Sequence, residues 1–337
     1  MARPHPRVAD PELHALEHAL DPDRMQEILE RATAPRLASA YEAEILSHKF
    51  GARCTIQYTP VGRRAGGVGS GAVIGKLYRS RRRAARMYRR QVELGSCTFT
   101  DRSRTCLPAA LEFVEELGLV LQAHVEGVDL RDFLTEDAGV APMELAGRWL
   151  AQLHASDPPA EIKNMSAAGR VVRMRGWAAK IAGHLSFAEK QRLVRGLECA
   201  ALVLGRVSAE NRPVLIHKDF YYANLLWDGL RIWGLDLDEL SLGDAAFDVG
   251  HFLAHLERHA WRSGISLECA SVAGGRFLHE YERHAGESAR AATPFYKAYT
   301  FVKLAATEVA RKRVGWEHAM RMLAASGCRE LEEFASS

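Results

Sequence analysis

The stretch VLIHKDFYYANLLWDGLRIWGLDLDELSLGDAAFDVG, residues 214–250, contains the most informative pattern of polar residues in the chain. An apolar strand leads into His217-Lys218-Asp219, Asn224 follows, and a second apolar run ends at Asp236. Phosphoryl transfer from a metal-bound nucleotide requires one carboxylate that orients and deprotonates the attacking hydroxyl. It also requires oxygen ligands, here an amide and a second carboxylate, that hold Mg²⁺ against the phosphates. The ordered set Asp219, Asn224 and Asp236 therefore predicts a kinase-type site.

A predicted hairpin explains the spacing between Asn224 and Asp236. Apolar runs on both sides flank Asp228-Gly229, a pair typical of a type I′ turn. Folding back there is expected to return Asp236 to the neighbourhood of Asn224, so that two hard oxygen ligands meet. Taken singly, Asp219 and Asn224 would fit the role of ordinary turn residues equally well. The complete ordered set favours the catalytic and metal-binding roles.

On these residues the segment resembles the aminoglycoside phosphotransferase and choline kinase superfamily, small-molecule kinases related in fold to protein kinases. LDLDELSLGDAAFDVG is similar to the metal-aspartate motif of that family, in which residues equivalent to Asp244 and Asp248 brace the loop and the next helix. Lys218 stands where Gly or Arg is more usual. The resemblance implies an α+β, bilobal protein-kinase-like fold with a small β-rich N-lobe and a larger α-helical C-lobe.

The length of 337 residues suits such a two-lobed chain. We predict an N-terminal helical extension over residues 1–39, a nucleotide-binding N-lobe over 40–124, and a C-lobe with the catalytic loop, metal site and acceptor-binding helices over 125–337. Within the extension, Asp10-Pro11 and Asp21-Pro22 each predict a helix N-terminus, because Pro is favoured at the first helical position.

Composition narrows the function classes. The net charge of +3 is too small to argue for a nucleic-acid partner, and the arginine-rich run from residue 79 to 90 is read as a solvated helix face. The six cysteines are far apart in sequence, which favours reduced thiols in a cytoplasmic protein. No run of the sequence predicts a signal peptide or a membrane span. We expect no nucleic-acid or membrane partner.

The N-lobe pattern supplies the candidate nucleotide contacts. Three predicted strands precede a helix that starts near Ser80, and in kinases the third strand carries a lysine that pairs with the α- and β-phosphates. Lys76 is that candidate, and the alternative is a lysine on the solvent face of an edge strand. Its helical glutamate partner is assigned to Glu93, with Glu42 and Glu44 as rivals.

The glycine-rich run GGVGSG, residues 66–71, lies too close to Lys76 to cover the phosphates. It is interpreted as a turn between the second and third strands. The phosphate cover is instead predicted over residues 47–54, where Gly51 permits a tight turn and the backbone amides, with Arg53, would face phosphate.

The segment 117–134 is predicted to join the lobes. The family resemblance implies that backbone groups there bind the adenine edge, which assigns the contact to Gln122 through His124. Plain packing between the lobes is the alternative.

Other polar residues of the C-lobe have less specific patterns. His251, His255 and His259 recur every four residues, but a zinc site would also need ligands from other segments. Asp238 and Glu239 would either bind a cationic acceptor or stabilise the loop that follows, and the loop role is favoured.

These residues together predict an ATP- or GTP-dependent O-phosphotransferase that uses Mg²⁺ and phosphorylates a hydroxyl of a small molecule. One alternative is a nucleotide-binding regulatory protein without turnover, which would be expected to lack Asp219, Asn224 or Asp236. Another is a protein kinase-like enzyme. Against this alternative, the chain has Leu235-Asp236-Leu237 where protein kinases have Asp-Phe-Gly. The acceptor's identity and the oligomeric state stay open.

Overall fold

The computed structural model describes residues 10–33, 40–61, 71–100, 104–134, 140–159 and 161–336. Two compact units make up the chain. The first contains the residues up to Gly127 together with Trp233–Leu237, and the second contains Val128–Ile232 and the residues from Asp238 onward. The first unit is rich in strands and the second is mostly helical, which confirms the predicted α+β class. The domain limits at residues 39 and 124 stay a prediction.

The first unit is built on an antiparallel sheet. Its elements are α1 (Leu16–Ala19), α2 (Pro22–Ala32), β1 (Tyr41–Lys49), β2 (Arg53–Pro60), β3 (Val73–Tyr78), α3 (Arg81–Cys97), β4 (Thr105–Cys106), β5 (Ala110–Val114) and β6 (Leu119–Ala123). Five of these strands pair in the order β1-β2-β3-β6-β5, so β3 is the central strand. The three strands and the helix predicted from the sequence are therefore present.

Side chains alternate between the two faces of this sheet, as the pleat requires. Leu77 and Leu121 pack in the core shared with α1 and α2. Tyr78 and Val120 point to the other face and pack against Ala84 and Met87 of α3. Lys76 is two residues from Tyr78 on β3 and therefore lies on the α3 face.

The two predicted N-terminal helix starts have different outcomes. Asp21 caps α2 as predicted, since its carboxylate accepts the backbone N–H groups of Asp23 and Arg24. The prediction for Asp10 is wrong, because α1 begins at Leu16. The Asp10 carboxylate instead accepts the backbone N–H of Gly51 at 2.8 Å, a tertiary contact that fixes the turn after β1.

The second unit contains the helical majority. Its elements are β7 (Val128–Asp129), α4 (Val140–His154), α5 (Ala167–Ala182), α6 (Phe187–Glu210), β8 (Val214–Ile216), β9 (Leu225–Trp227), β10 (Ile232–Gly234), which continues into the first unit, β11 (Ser241–Gly243), α7 (Ala246–Ser263), α8 (Leu267–Ala285), α9 (Thr293–Arg311) and α10 (Trp316–Ser336). β8 pairs antiparallel with β11, and β7 with β9. The capping box predicted at Ser186 opens α6.

Close helix crossings hold the elements that carry the polar residues. A Cβ on Gly147 of α4 would lie 2.3 Å from the Phe277 carbonyl oxygen of α8. A Cβ on Gly250 of α7 would lie 2.6 Å from the Lys297 backbone nitrogen of α9. Only glycine permits these distances, so the backbones of α4 and α8 are in close contact at Gly147, and those of α7 and α9 at Gly250.

The predicted hairpin turn closes one residue later than expected. Asp228 donates its backbone N–H to the carbonyl of Arg231, so Gly229 and Leu230 are the central residues. Only Gly229 has positive φ, +94°, which is the pattern of a type II′ turn, not type I′. The Asp228 carboxylate accepts the N–H groups of Leu230 and Arg231, and this side-chain cap moves the turn.

Two further findings concern segments without a site role. The predicted glycine turn at residues 66–70 lies outside the described residues, and Gly71 has a φ of +67°. None of the helices among the described residues combines the length and apolarity that crossing a bilayer needs.

Candidate active site

The loop after β8 is braced from beneath by one buried carboxylate. Asp248 of α7 accepts the backbone N–H groups of His217 at 2.6 Å and Lys218 at 2.8 Å. Lys218 has a φ of +71°, in the left-handed region that favours glycine. His217 is fully buried and contacts the ring of Trp149. The loop thereby presents the next residue, Asp219, with 43% of its side chain exposed.

Asp219 and Asn224 are brought together as the sequence predicts. The Asn224 amide nitrogen donates to the Asp219 backbone carbonyl at 2.8 Å and lies 3.4 Å from Asp219 Oδ2. Both contacts use the amide nitrogen, and the amide oxygen of Asn224 has no hydrogen bond with the described residues. An amide oxygen in this position is a suitable ligand for a hard cation.

His251 is a site residue whose role the sequence did not reveal. Its Nδ1 lies 3.1 Å from Thr300 Oγ1, and that hydroxyl donates to the carbonyl of Tyr296. The single hydroxyl proton is thus used, which makes Nδ1 of His251 the donor. Nε2 then faces Asp219 Oδ1 at 3.6 Å, too far for a hydrogen bond, and is buried without a hydrogen-bond partner among the described residues.

The charge state of Asp219 is set by its neighbours. Burial works against the carboxylate, but a protonated His251, whose Nε2–H would face Asp219, and the Lys303 ammonium favour it, and the pKa of Asp219 lies below its ordinary value. Burial in turn lowers the pKa of Lys303, and Asp219 opposes that effect. Asp219 is therefore an ionised hydrogen-bond acceptor at neutral pH. Lys303 was not predicted as a site residue. The sequence signal that could have indicated it is its position between apolar residues of α9, in FVKLAA.

In the first unit, Asp236 is held by two cations. Its carboxylate accepts both terminal nitrogens of Arg53, each at 3.0 Å, and lies 3.2 Å from Lys76 Nζ. Burial acts to raise the pKa of Asp236, but Lys76 and Arg53 outweigh it and hold that pKa far below its usual range. Asp236 has a φ of +59°, which Asp tolerates better than most residues.

Lys76 lies on the central strand β3 with 14% of its side chain exposed, so the edge-strand alternative is wrong. The prediction that Glu93 is its partner is also wrong. Glu93 is exposed on α3 and forms no ion pair with the residues that the structure describes. The buried positions of α3 are Ala84, Met87, Arg90 and Leu94, so the helix turns Glu93 away from the sheet.

The turn predicted to cover phosphate has its amides occupied. Gly51 does adopt a tight turn, with a φ of +68°. Its N–H donates to Asp10, however, and the N–H of Ala52 donates to the carbonyl of Lys49. The predicted phosphate role of these amides is therefore unsupported, and Arg53 is the group of this turn that meets another predicted site residue, Asp236.

The segment assigned to adenine lies at the end of β6. Gln122 is buried within the sheet, opposite Ile74 of β3. The N–H of Ala123 donates to the Ala109 carbonyl, and the N–H of His124 to the Ala72 carbonyl. The Nδ1 atom of His124 is buried without a hydrogen-bond partner in the described parts of the chain. These two backbone N–H groups are thus already used, and a group of this segment that is available to a ligand is the His124 ring.

The remaining polar candidates have structural contacts. Glu239 pairs with Lys218 at 3.0 Å, in agreement with the loop role favoured for it. His251 and His255 are buried, and His259 lies near the hydroxyl of Ser263. Within the described ranges, no group of three or more His, Cys, Asp or Glu is placed to hold a metal.

The chain is similar to known phosphotransferases in sequence pattern and in fold. Residues 66–299 match the model of the phosphotransferase enzyme family, whereas no curated protein sequence matches the chain. Solved structures of other proteins share the fold. A choline kinase from Cryptosporidium parvum Iowa II has a TM-score of 0.61 at 10% identity, covering 93% of this chain and 96% of that chain.

A putative aminoglycoside phosphotransferase from Ralstonia eutropha JMP134 has a TM-score of 0.61 at 15% identity, covering 92% of this chain and 98% of that chain. The ADP-bound aminoglycoside phosphotransferase APH(2'')-Ib has a TM-score of 0.55 at 15% identity, covering 91% and 98%. At these identities the likeness establishes the fold, and the fold agrees with the protein-kinase-like class predicted from the sequence.

Proposed function

The chain belongs to the phosphotransferase enzyme family, and from this premise we propose that it transfers the γ-phosphoryl group of ATP or GTP to a hydroxyl of a small molecule. Membership confirms the resemblance and the class of enzyme, a small-molecule kinase, that the sequence predicted. The observation that carries the proposal is the exposed carboxylate of Asp219 on a loop fixed by Asp248, with the Asn224 amide beside it.

Asp219 is proposed as the catalytic residue. It orients the acceptor hydroxyl as a hydrogen-bond acceptor, since the pKa of Asp219 is below its ordinary value despite the opposing effect of burial. The hydroxyl oxygen then bonds to the γ-phosphorus, and the bond from that phosphorus to the β–γ bridging oxygen breaks. The nucleoside diphosphate leaves with the bonding electron pair, and the hydroxyl proton passes to Asp219.

Lys76 and Arg53 are proposed to position the nucleotide phosphates. Both are cations with hydrogen-bonding nitrogens, and both already bind the carboxylate of Asp236, an anion like a phosphate oxygen. The buried Nδ1 of His124 and the backbone beyond Gln122 are the proposed contacts to the adenine or guanine base. The ADP bound to APH(2'')-Ib supports a nucleotide site in this fold.

The donor atoms present fit Mg²⁺. The amide oxygen of Asn224 and the carboxylate of Asp236 are hard oxygen ligands, and Mg²⁺ takes one or two such protein ligands with phosphate oxygens and water completing the set. When bound with the nucleotide, Mg²⁺ neutralises charge on the phosphates and orients them. We propose Asn224 and Asp236 as the residues that hold it.

The proposal is tested by nucleotide consumption. Release of ADP or GDP is measured with Mg²⁺ and a panel of hydroxylated acceptors, for the native protein and for Asp219→Asn, with Asp228→Asn as the matched control on the hairpin turn. Turnover with one acceptor class that is lost in Asp219→Asn and retained in Asp228→Asn supports the assignment. Equal turnover in the native protein and Asp219→Asn would contradict it, and nucleotide binding without any turnover would favour the regulatory alternative.

A further inference from the structure

Two cations of the second unit, Lys303 and Arg170, form no ion pair with a carboxylate of the described residues. Lys303 is half-buried on α9, and its ammonium forms no hydrogen bond or ion pair with the residues that the structure describes. Burial lowers the pKa of Lys303, the Asp219 carboxylate opposes that effect, and Lys218, Arg170 and Arg173 lower the pKa further. One carboxylate and three cations therefore act on this lysine.

Arg170 of α5 is the second cation, and only 8% of it is exposed. Nη1 donates to the Tyr299 hydroxyl at 3.0 Å, and the guanidinium lies 5.3 Å from the centre of the Phe247 ring. Its Nε is buried without a hydrogen-bond partner, and no described carboxylate forms an ion pair with it. A buried arginine is ordinarily paired with an anion, because an uncompensated buried charge is costly.

A chain of contacts links Arg170 to Asp219. The Phe247 ring beneath the guanidinium stacks on the ring of His251, with centres 6.0 Å apart. His251 Nε2 is in turn 3.6 Å from Asp219 Oδ1. Tyr299, which Arg170 contacts, is one helical turn before Lys303 on the same face of α9. Arg170 and Lys303 therefore belong to the surroundings of the proposed catalytic carboxylate.

We propose that Arg170 and Lys303 bind an anionic group of the acceptor, so that the substrates are hydroxylated small molecules that carry a carboxylate or a phosphate. This inference rests on the function proposed above. A cationic acceptor such as an amine would add a third positive charge beside two unpaired ones. Glu239, one of the carboxylates considered for a cationic acceptor, is already paired with Lys218.

Binding to four charge-graded probes tests the proposal. D-Glucosamine, D-glucose, D-gluconate and D-glucose 6-phosphate present similar hydroxyls with a cationic, a neutral, a carboxylate and a phosphate substituent. Dissociation constants are measured by titration calorimetry without nucleotide, and KM and kcat with Mg²⁺ and ATP. The variants are Lys303→Met, Lys303→Glu and the milder Arg170→Lys, with Lys180→Met, an exposed lysine of α5, as the matched control.

We expect at least one of the two anions to bind about tenfold or more tightly than glucose and glucosamine, as a charge-assisted contact provides. Lys303→Met should abolish that preference through KM for the acceptor, Lys303→Glu should shift it toward glucosamine, and Lys180→Met should leave it unchanged. The relative affinities of gluconate and glucose 6-phosphate show whether the anionic group of the substrate is a carboxylate or a phosphate.

Preferential binding of glucosamine or glucose, no binding of either anion, or an effect of Lys303→Met on KM for ATP alone would overturn the proposal. Phosphoryl transfer to glucosamine or glucose in preference to both anions would contradict this inference while leaving the proposed function intact. Anion binding that is lost in Lys303→Met supports this inference, whereas absence of phosphoryl transfer to every acceptor of the wider panel would contradict the proposed function.

Discussion

Asp248 accepts the backbone N–H of Lys218 at 2.8 Å and thereby holds a lysine at a φ of +71°. The same carboxylate accepts the N–H of His217 at 2.6 Å and lies 3.2 Å from His154 Nε2. One buried side chain of α7 therefore determines the course of the loop that presents Asp219. A lysine at this position costs conformational free energy, since the left-handed conformation disfavours residues with a Cβ.

Replacing Lys218 measures that cost. We expect Lys218→Gly to be more stable than Lys218→Ala by about 1 kcal/mol, because both variants lose the contact with Glu239 but only glycine relieves the strain. Free energies of unfolding from urea denaturation provide the comparison. Equal stability of the two variants would show that the backbone at this residue is not strained.

Asp248→Asn tests the bracing of the loop. We expect a loss of about 3 kcal/mol in the free energy of unfolding, because the buried hydrogen-bond donors lose a charged acceptor. Glu239→Gln, which changes an exposed carboxylate, is the control and should cost less than about 1 kcal/mol. Urea denaturation of both variants checks the difference, and similar losses would count against the bracing role of Asp248.

Local patterns predicted much of the fold and part of the site. The strand pattern around Lys76, the cap at Asp21 and the pairing of Asp219 with Asn224 all depend on residues close in sequence. The partner of Asp10 was not predictable, because Gly51 is 41 residues away and the Asp-Pro pair is also a local helix signal. The contact of Arg170 with Tyr299 spans 129 residues and leaves no local pattern.

Glu93 shows a different limit. Its spacing from Lys76 fitted the kinase pattern, but spacing does not fix the rotation of a helix about its axis. The packing of Met87 and Leu94 on the sheet decides that rotation and leaves Glu93 exposed. At Asp228, a side chain that accepts two backbone N–H groups shifted the turn by one residue.

Lys76 and Glu93 are expected to differ in their effect on nucleotide affinity, because Glu93 is exposed and does not pair with Lys76. We expect Lys76→Met to weaken binding of Mg²⁺-ATP by about tenfold or more, because a charged contact to phosphate is lost. Glu93→Gln should bind the nucleotide like the native protein, since Glu93 pairs with none of the described residues. Fluorescence titration with a nucleotide analogue checks both, and a loss in Glu93→Gln as large as in Lys76→Met would restore Glu93 as the partner.

The contact of Arg53 with Asp236 makes stability depend on pH. Burial opposes ionisation, but Lys76 and Arg53 depress the pKa of Asp236 in the folded protein relative to the unfolded chain. A depressed pKa contributes stability above the unfolded value of about 4, and this contribution is lost as the pH falls through the folded pKa.

Arg53→Met should therefore be less stable than the native protein by about 1 kcal/mol at pH 7, and the difference should shrink as the pH falls below about 4. Urea denaturation at pH 7, 5 and 2 measures it, because the folded Asp236 is still ionised until the pH is well below its usual pKa. A difference that is unchanged at pH 2 would show that Arg53 stabilises the fold by packing and not through the Asp236 charge.

Phosphorus NMR of a reaction with ATP, Mg²⁺ and an accepted hydroxylated substrate tests the catalytic role of Asp219 directly. The native protein should produce a phosphomonoester signal of the acceptor together with an equal amount of ADP. Asp219→Asn should still bind ATP but form the phosphomonoester at least about a hundredfold more slowly, because the general base is lost. Phosphomonoester formation at the native rate by Asp219→Asn would show that Asp219 is not the catalytic residue.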